Sequence, residues 1–320
     1  MAARERAPRN RTLHLSPADR ERLRPRLGSA GDAGQSHLDR TFLGDVRDVT
    51  PRLPHGFADL VFLDPPYNLD KRIADQTFRR RAVDEYTAWL GEVLDLVLPT
   101  VAPRGTVYIC GDWFTSASIF AAAAPRLEVR NRITWEREKG RGAKANWKNA
   151  SEDIWFCTRS AEYTFNVDAV KLRRRVIAPY RDAAGAPRDW QAMPDGKFRD
   201  THPSNLWTDI TIPFWSMSEN TDHPTQKSEK LLAKLILAST HPGDVVFDPF
   251  LGSGTAAVVA KKLGRRYVGI EIAEELALVA EHRLLAAERD AAIQGYSDRV
   301  FWERNSLAGA KARSRRAARR

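Results

Sequence analysis

Residues 244–272 read DVVFDPFLGSGTAAVVAKKLGRRYVGIEI, and this stretch decides the fold. A short apolar run ends in Asp248, as a buried parallel strand does. A glycine-rich turn, PFLGSGT, leads into a helix starting near Thr255, and a second apolar run, YVGIE, closes on Glu271. Gly252 and Gly254 let the backbone turn tightly and approach a ligand. Glu271 follows about 20 residues later, where a carboxylate can accept both hydroxyls of a ribose. A lone Gly-x-Gly is equally a structural turn, but strand, turn, helix, strand and terminal acid together describe a site for an adenosine-containing ligand. A dinucleotide would want a third glycine facing its pyrophosphate, whereas the run continues Gly252, Ser253, Gly254, Thr255, Ala256, Ala257. Asp248 just before the turn disfavours a pyrophosphate and suits a ligand with a cationic sulfonium and an amino group.

The same rhythm extends outward. Upstream, ADLVFLD (58–64) reads as a buried strand, YTAWLGEVLDLVL (86–98) as a helix and GTVYICGD (105–112) as a strand. A helix through SASIFAAAA and strands at NRITWE and EDIWFCT follow. Residues 160–222 are polar and rich in Pro, Arg, Asp and Trp, and break the pattern like an inserted lobe. The helix SEKLLAKLILAST restores it, and EELALVAEHRLLAAE closes it. Strands alternating with helices imply an α/β fold with a mostly parallel, doubly wound sheet, without internal repeats.

The strand at 58–64 runs into Asp64-Pro65-Pro66-Tyr67. Ligands of open α/β sheets bind outside the carboxyl ends of the strands, so this tetrapeptide faces the crevice. The prolines stiffen it, each fixing its own φ and restricting the residue before it. An exocyclic amino group is a poor nucleophile because its lone pair is conjugated with the ring. Two acceptors gripping its hydrogens, the Asp64 carboxylate and the Pro65 carbonyl, would pull the nitrogen toward sp3 geometry. Tyr67 would stack on a base extruded from its duplex, and positioning would do the rest. An ordinary strand exit also favours Asp, Pro and Tyr; the adenosine-site pattern beside it argues for the chemistry.

DPPYNL, HPTQK (223–227) and DPFLGSGT, in that order, resemble the β-class DNA amino-methyltransferases of restriction–modification systems. The resemblance spans residues 41–285. It implies a Rossmann-like methyltransferase fold, S-adenosylmethionine as cofactor, double-stranded DNA as substrate, and a target-recognition region between the two motifs. Residue by residue, the catalytic tetrapeptide falls on Asp64, Pro65, Pro66 and Tyr67. The cofactor set falls on Asp45, Asp64, Thr225, Gln226, Lys227, Asp248, Phe250, Gly252, Ser253, Gly254, Thr255 and Glu271. Ser228 stands where the family often has proline. Asp at the first catalytic position is commoner in the family's adenine-N6 enzymes, so adenine is favoured over cytosine-N4. Cytosine-C5 chemistry is disfavoured because it needs a thiolate, often after proline, whereas Cys110 follows Ile109 and Cys157 follows Phe156. The organisation expected is a flexible basic arm over 1–37, a catalytic part over 38–159, the recognition region over 160–222, a cofactor-binding part over 223–305 and a basic tail over 306–320. A short helix is expected at SPADRERLR.

Composition agrees with a polyanionic partner. The 320 residues carry a net charge of +10, and a hydrophobic share of 42% supports a core. The loop EREKGRGAKANWKN (136–149) offers Arg137, Lys139, Arg141, Lys144, Trp147 and Lys148 to DNA, and KLRRRVIAPYR (171–181) adds Arg173, Arg174 and Arg175. Solvated loops are the bland alternative. The two cysteines lie in apolar runs, without metal-ligand spacing. With no apolar run long enough to span a membrane and a charged start without a secretory core, a cytoplasmic protein is expected. Family habit adds a homodimer and a cognate restriction endonuclease as partners. The rivals are an RNA or protein amide methyltransferase, often with Asn in place of Asp64, and a DNA-binding module with a decayed cofactor site, which intact motifs argue against.

Overall fold

The computed structural model describes residues 8–73, 76–137, 145–177, 179–194 and 196–304. Its centre is an eight-stranded sheet in the order Arg40–Leu43, Arg266–Glu271, Val245–Asp248, Ala58–Leu63, Val101–Gly111, Ser151–Thr158, Glu128–Glu136, Leu206–Trp207. The first five strands are mutually parallel, and Ser151–Thr158 runs antiparallel to both its neighbours. Leu206–Trp207 pairs parallel to Glu128–Glu136.

Alternation along a strand sends successive side chains to opposite faces. Leu60 and Phe62 enter one core while Val61 and Leu63 enter the other. Both faces are covered, so the run is apolar throughout. Helices Glu229–Ser239 and Thr255–Lys262 supply the first core, and Val83–Val97 and Ser116–Ala123 the second. Val83–Val97 begins three residues before the expected start, where the Ala82 N–H donates to Glu85 at 3.3 Å. Strand Val101–Gly111 also begins earlier than expected.

The strand order places the site. Strands Ala58–Leu63 and Val245–Asp248 are far apart in sequence yet adjacent and parallel, with Phe247 beside Val61. Their carboxyl ends, DPPY and DPFLGSGT, therefore open at the same edge, where chain connections diverge to the two sides of the sheet.

Two expectations need correcting. The stretch at 160–222 is not a separate lobe: Leu206–Trp207 completes the main sheet. Its other strands, Leu172–Arg175, Gln191–Met193 and Gly196–Thr201, share a second sheet with Tyr296–Ser297 and Val300–Trp302. The N-terminal arm, from residue 8, is not free. Helix Pro17–Leu23 begins at a Ser16 capping box, and Leu15 and Leu23 pack on Leu278. Arg20, Arg24 and Arg26 pair with Glu275, Glu274 and Glu281 of helix Glu274–Ala287. The basic composition that suggested a loose arm serves an acidic helix. The tail at 306–320 and residues 1–7 lie outside the described residues.

Candidate active site

A cavity of about 760 Å³ lies at the carboxyl edge, lined by both motif turns, by residues 44–47, and by part of HPTQK. Its floor is acidic. Asp248 is buried and accepts the Phe250 N–H at 3.1 Å. Burial, with Asp64 and Glu271 nearby, pushes its carboxyl well above the usual carboxylate range. Among the described residues no ion pair relieves it, so a cationic ligand is the natural complement.

The glycines divide the labour. Gly252, at φ 54°, turns the chain so that its N–H donates to Glu271 Oε2 at 2.7 Å. A Cβ there would meet His223 Nε2 at 3.3 Å. Gly254, at φ 82°, does not line the cavity. A Cβ there would come within 2.5 Å of Ala280 Cβ, so its role is to let helix Thr255–Lys262 pack against Glu274–Ala287. The other Glu271 oxygen accepts the Ala273 N–H at 2.9 Å. Burial raises the Glu271 pKa, opposed by these backbone donors. Beside Glu271, whose carbonyl accepts the Gly44 N–H at 3.0 Å, Asp45 lines the cavity while capping the turn at Arg47 N, 2.8 Å away.

The DPPY turn is locked from several sides. The Tyr86 hydroxyl donates to the Pro66 carbonyl at 2.9 Å. Asn68 clasps the loop that follows, donating to Arg81 O at 3.0 Å and accepting from Arg81 N at 2.7 Å. Asp64 receives Lys227 Nζ on both oxygens, at 2.8 and 2.6 Å, and the Tyr67 hydroxyl at 3.1 Å. Burial alone would lower the Lys227 pKa; Asp64 and Glu152 outweigh it, and the net shift is upward, so the ammonium stays charged.

The expected residues separate accordingly. Asp45, Asp64, Pro65, Pro66, Tyr67, Thr225, Asp248, Phe250, Gly252, Ser253, Thr255 and Glu271 all line the one cavity. Lys227 lines it too, but its ammonium engages Asp64 rather than standing free for a cofactor. Gln226 lines it as well, but its amide is taken up by its own loop, accepting from Thr221 N at 2.9 Å and donating to Glu219 O at 2.6 Å. Arg137, expected at phosphates, instead pairs with buried Glu152. Arg173 is held bidentately by Asp200 at 2.7 Å, and Arg174 lies 3.6 Å from Glu303. Arg175 and Lys148 are exposed, and Trp147 is 94% exposed. Lys139, Arg141 and Lys144 lie outside the described residues.

Sequence reading missed Glu152, His223 and the basic rim of Lys71, Arg79 and Arg81, which lines the same cavity. An acid at the start of an apolar strand was the available signal for Glu152. The run KRIADQTFRRR (71–81) was the signal for the rim.

The chain matches the N6/N4 DNA methylase family over residues 58–282. It is 33% identical over 248 residues to the DNA adenine methyltransferase YhdJ of Escherichia coli (strain K12), covering 75% of this chain and 81% of that protein. To the type II methyltransferase M.BglII of Bacillus subtilis it is 29% identical over 270 residues, 80% of this chain and 71% of that one. The crystal structure of the M1.HpyAVI–SAM complex shares the fold, with a TM-score of 0.51 at 22% identity over 76% of this chain and 98% of the other. Two motif turns meeting over one acidic cavity, and a match across most of the globular chain, place this protein in the N6/N4 DNA methylase family, enzymes that use S-adenosylmethionine to methylate an exocyclic amino group of a base.

Proposed function

We propose that the enzyme methylates adenine N6 in double-stranded DNA, with the base drawn out of the duplex into the mouth of the cavity beside Tyr67. One observation carries the reading. Asp64 and Asp248, from adjacent parallel strands, present an amino-group acceptor and a site for a cation within a single cavity. The residues fit S-adenosylmethionine: Glu271 lies where ribose hydroxyls are accepted, Gly252 leaves room at the turn, and Asp248 is a buried acid whose charged form a cationic ligand would restore. The cofactor supplies an electrophilic methyl on a sulfonium. Asp64 and the Pro65 carbonyl grip the amino hydrogens, and the clasped, proline-stiffened turn holds them in place. Asp at the head of the tetrapeptide, and the similarity to an adenine methyltransferase, support adenine over cytosine.

The basic rim of Lys71, Arg79 and Arg81 suits phosphates beside the flipped nucleotide. A cytoplasmic homodimer with a cognate restriction endonuclease as cellular counterpart completes the proposal. Exposed Val83, Trp113 and Phe120 support self-association, which sedimentation tests. Methylation-sensitive long-read sequencing of DNA exposed to the enzyme tests the reaction. N6-methyladenine at one recurrent site is expected, and N4-methylcytosine would overturn the choice of base.

A further inference from the structure

Behind the cavity wall, a second carboxylate reaches the reacting one through a single hydroxyl. Tyr67 has one O–H proton and two carboxylate neighbours, Asp64 Oδ1 at 3.1 Å and Glu152 Oε2 at 3.3 Å. Lys227 Nζ spans the same groups, 3.1 Å from the hydroxyl, 2.6 Å from Asp64 and 3.5 Å from Glu152. On its far side Glu152 pairs with Arg137. Glu152 is 2% exposed and does not line the cavity. Two carboxylates and two cations make this cluster neutral before the reaction. An ion pair with Arg137 alone would satisfy a structural glutamate; the shared hydroxyl connects it to the site of chemistry.

Methylating an amino group leaves a proton over. The new N–C bond forms as the donor's S–C bond breaks and its electron pair stays on sulfur. The nitrogen then sheds one N–H proton, and that proton needs an acceptor. We propose that Glu152 is the terminal proton acceptor of methyl transfer, reached from Asp64 through the Tyr67 hydroxyl. The proposal rests on the role of Asp64 given above. The proton passes from the amino nitrogen to Asp64. Asp64 then protonates the Tyr67 oxygen as the Tyr67 proton moves to Glu152. Asp64 is a carboxylate again, Tyr67 is unchanged and Glu152 is a carboxylic acid, which gives its proton to water after the methylated base leaves. Lys227 keeps Asp64 in place throughout. Among the described residues, the other charged or titratable groups acting on the cluster include Lys71, Tyr86, Cys110, His223 and Asp248.

Glu152→Gln keeps size and an acceptor oxygen for Tyr67 but cannot take the proton. Tyr67→Phe keeps the ring and removes the relay. The experiment is single-turnover methylation of unmethylated genomic DNA with labelled S-adenosylmethionine, between about pH 6 and 9, beside calorimetry of cofactor binding. In each variant the proton must leave Asp64 directly to solvent. The rate should fall at least about tenfold near pH 6, and the deficit should narrow as pH rises. The double variant should be no slower than the slower single one, since both interrupt one path. Cofactor affinity should be unchanged. A deficit equal at every pH, losses that multiply, or a wild-type rate in Glu152→Gln overturns the relay. If Glu152→Gln does not fold, the Tyr67→Phe pH comparison decides alone. Full activity in Asp64→Ala would instead overturn the underlying reading.

Discussion

At the residue scale, Asp64, the proposed amino-group acceptor, also sets the electrostatics of a buried site. Its partner Lys227 is 4% exposed, so removing the carboxylate leaves a buried ammonium with Glu152 at 3.5 Å and the Tyr67 hydroxyl at 3.1 Å as its remaining partners among the described residues. Asp64→Ala should abolish methyl transfer, retain cofactor binding and lower stability by about 1–3 kcal/mol; activity assays, calorimetry and denaturant titration check each part. Turnover in a folded variant would remove the proposed role. His223 bears on pH. Burial lowers its pKa from 6.5 to about 4. The unfolded chain therefore binds a proton in a window where the folded protein does not. This stability is fully present above about pH 6.5 and is lost as pH falls toward about 4, some 3 kcal/mol in all. Replacing His223 with Gln should flatten unfolding free energy across that window. An unchanged slope would mean His223 titrates normally.

At the element scale, the cofactor turn and the helix it starts carry separable duties, and the two glycines report on each. Gly254→Ala places a Cβ 2.5 Å from that of Ala280 at a positive φ, so helix Thr255–Lys262 must shift against Glu274–Ala287. A loss of about 1–3 kcal/mol is expected in denaturant, with near-normal cofactor affinity in the folded fraction. Gly252→Val points its bulk at His223 instead, and should raise the Kd for S-adenosylmethionine at least about tenfold in calorimetry. Should Gly252→Val bind normally, the cofactor would lie elsewhere. These duties were partly legible beforehand. The Gly-x-Gly pattern announces two special backbone positions, but their distinction depends on a helix that begins about twenty residues later.

At the scale of the whole molecule, distant segments close what the motifs begin. The N-terminal segment buries Leu15 and Leu23 on Leu278 and sets three arginines on an acidic helix. Deleting residues 1–37 should cost about 3 kcal/mol or more in thermal or chemical unfolding, chiefly from lost apolar burial. Full stability in the shortened chain would show the packing to be incidental. DNA affinity tests the basic run at 136–149. Neutralising Arg141, Lys144 and Lys148 together should flatten the salt dependence of binding by up to about three units, at about 0.9 per phosphate contact, while sparing cofactor binding. An unchanged slope would retire that loop as a phosphate clamp. By itself, the sequence determined the α/β class, the two motif turns and the chemistry they carry. Those features rest on contiguous residues whose backbone preferences and apolar runs are local. Only the tertiary structure decided that Glu152 and Lys227, 85 and 160 residues beyond Tyr67, converge on its hydroxyl. It likewise paired Arg137 with Glu152 and Arg173 with Asp200, and docked the basic N-terminal segment. Charge marks a residue as able to pair, but the sheet order sets which opposite charge lies within reach, and no local pattern encodes that.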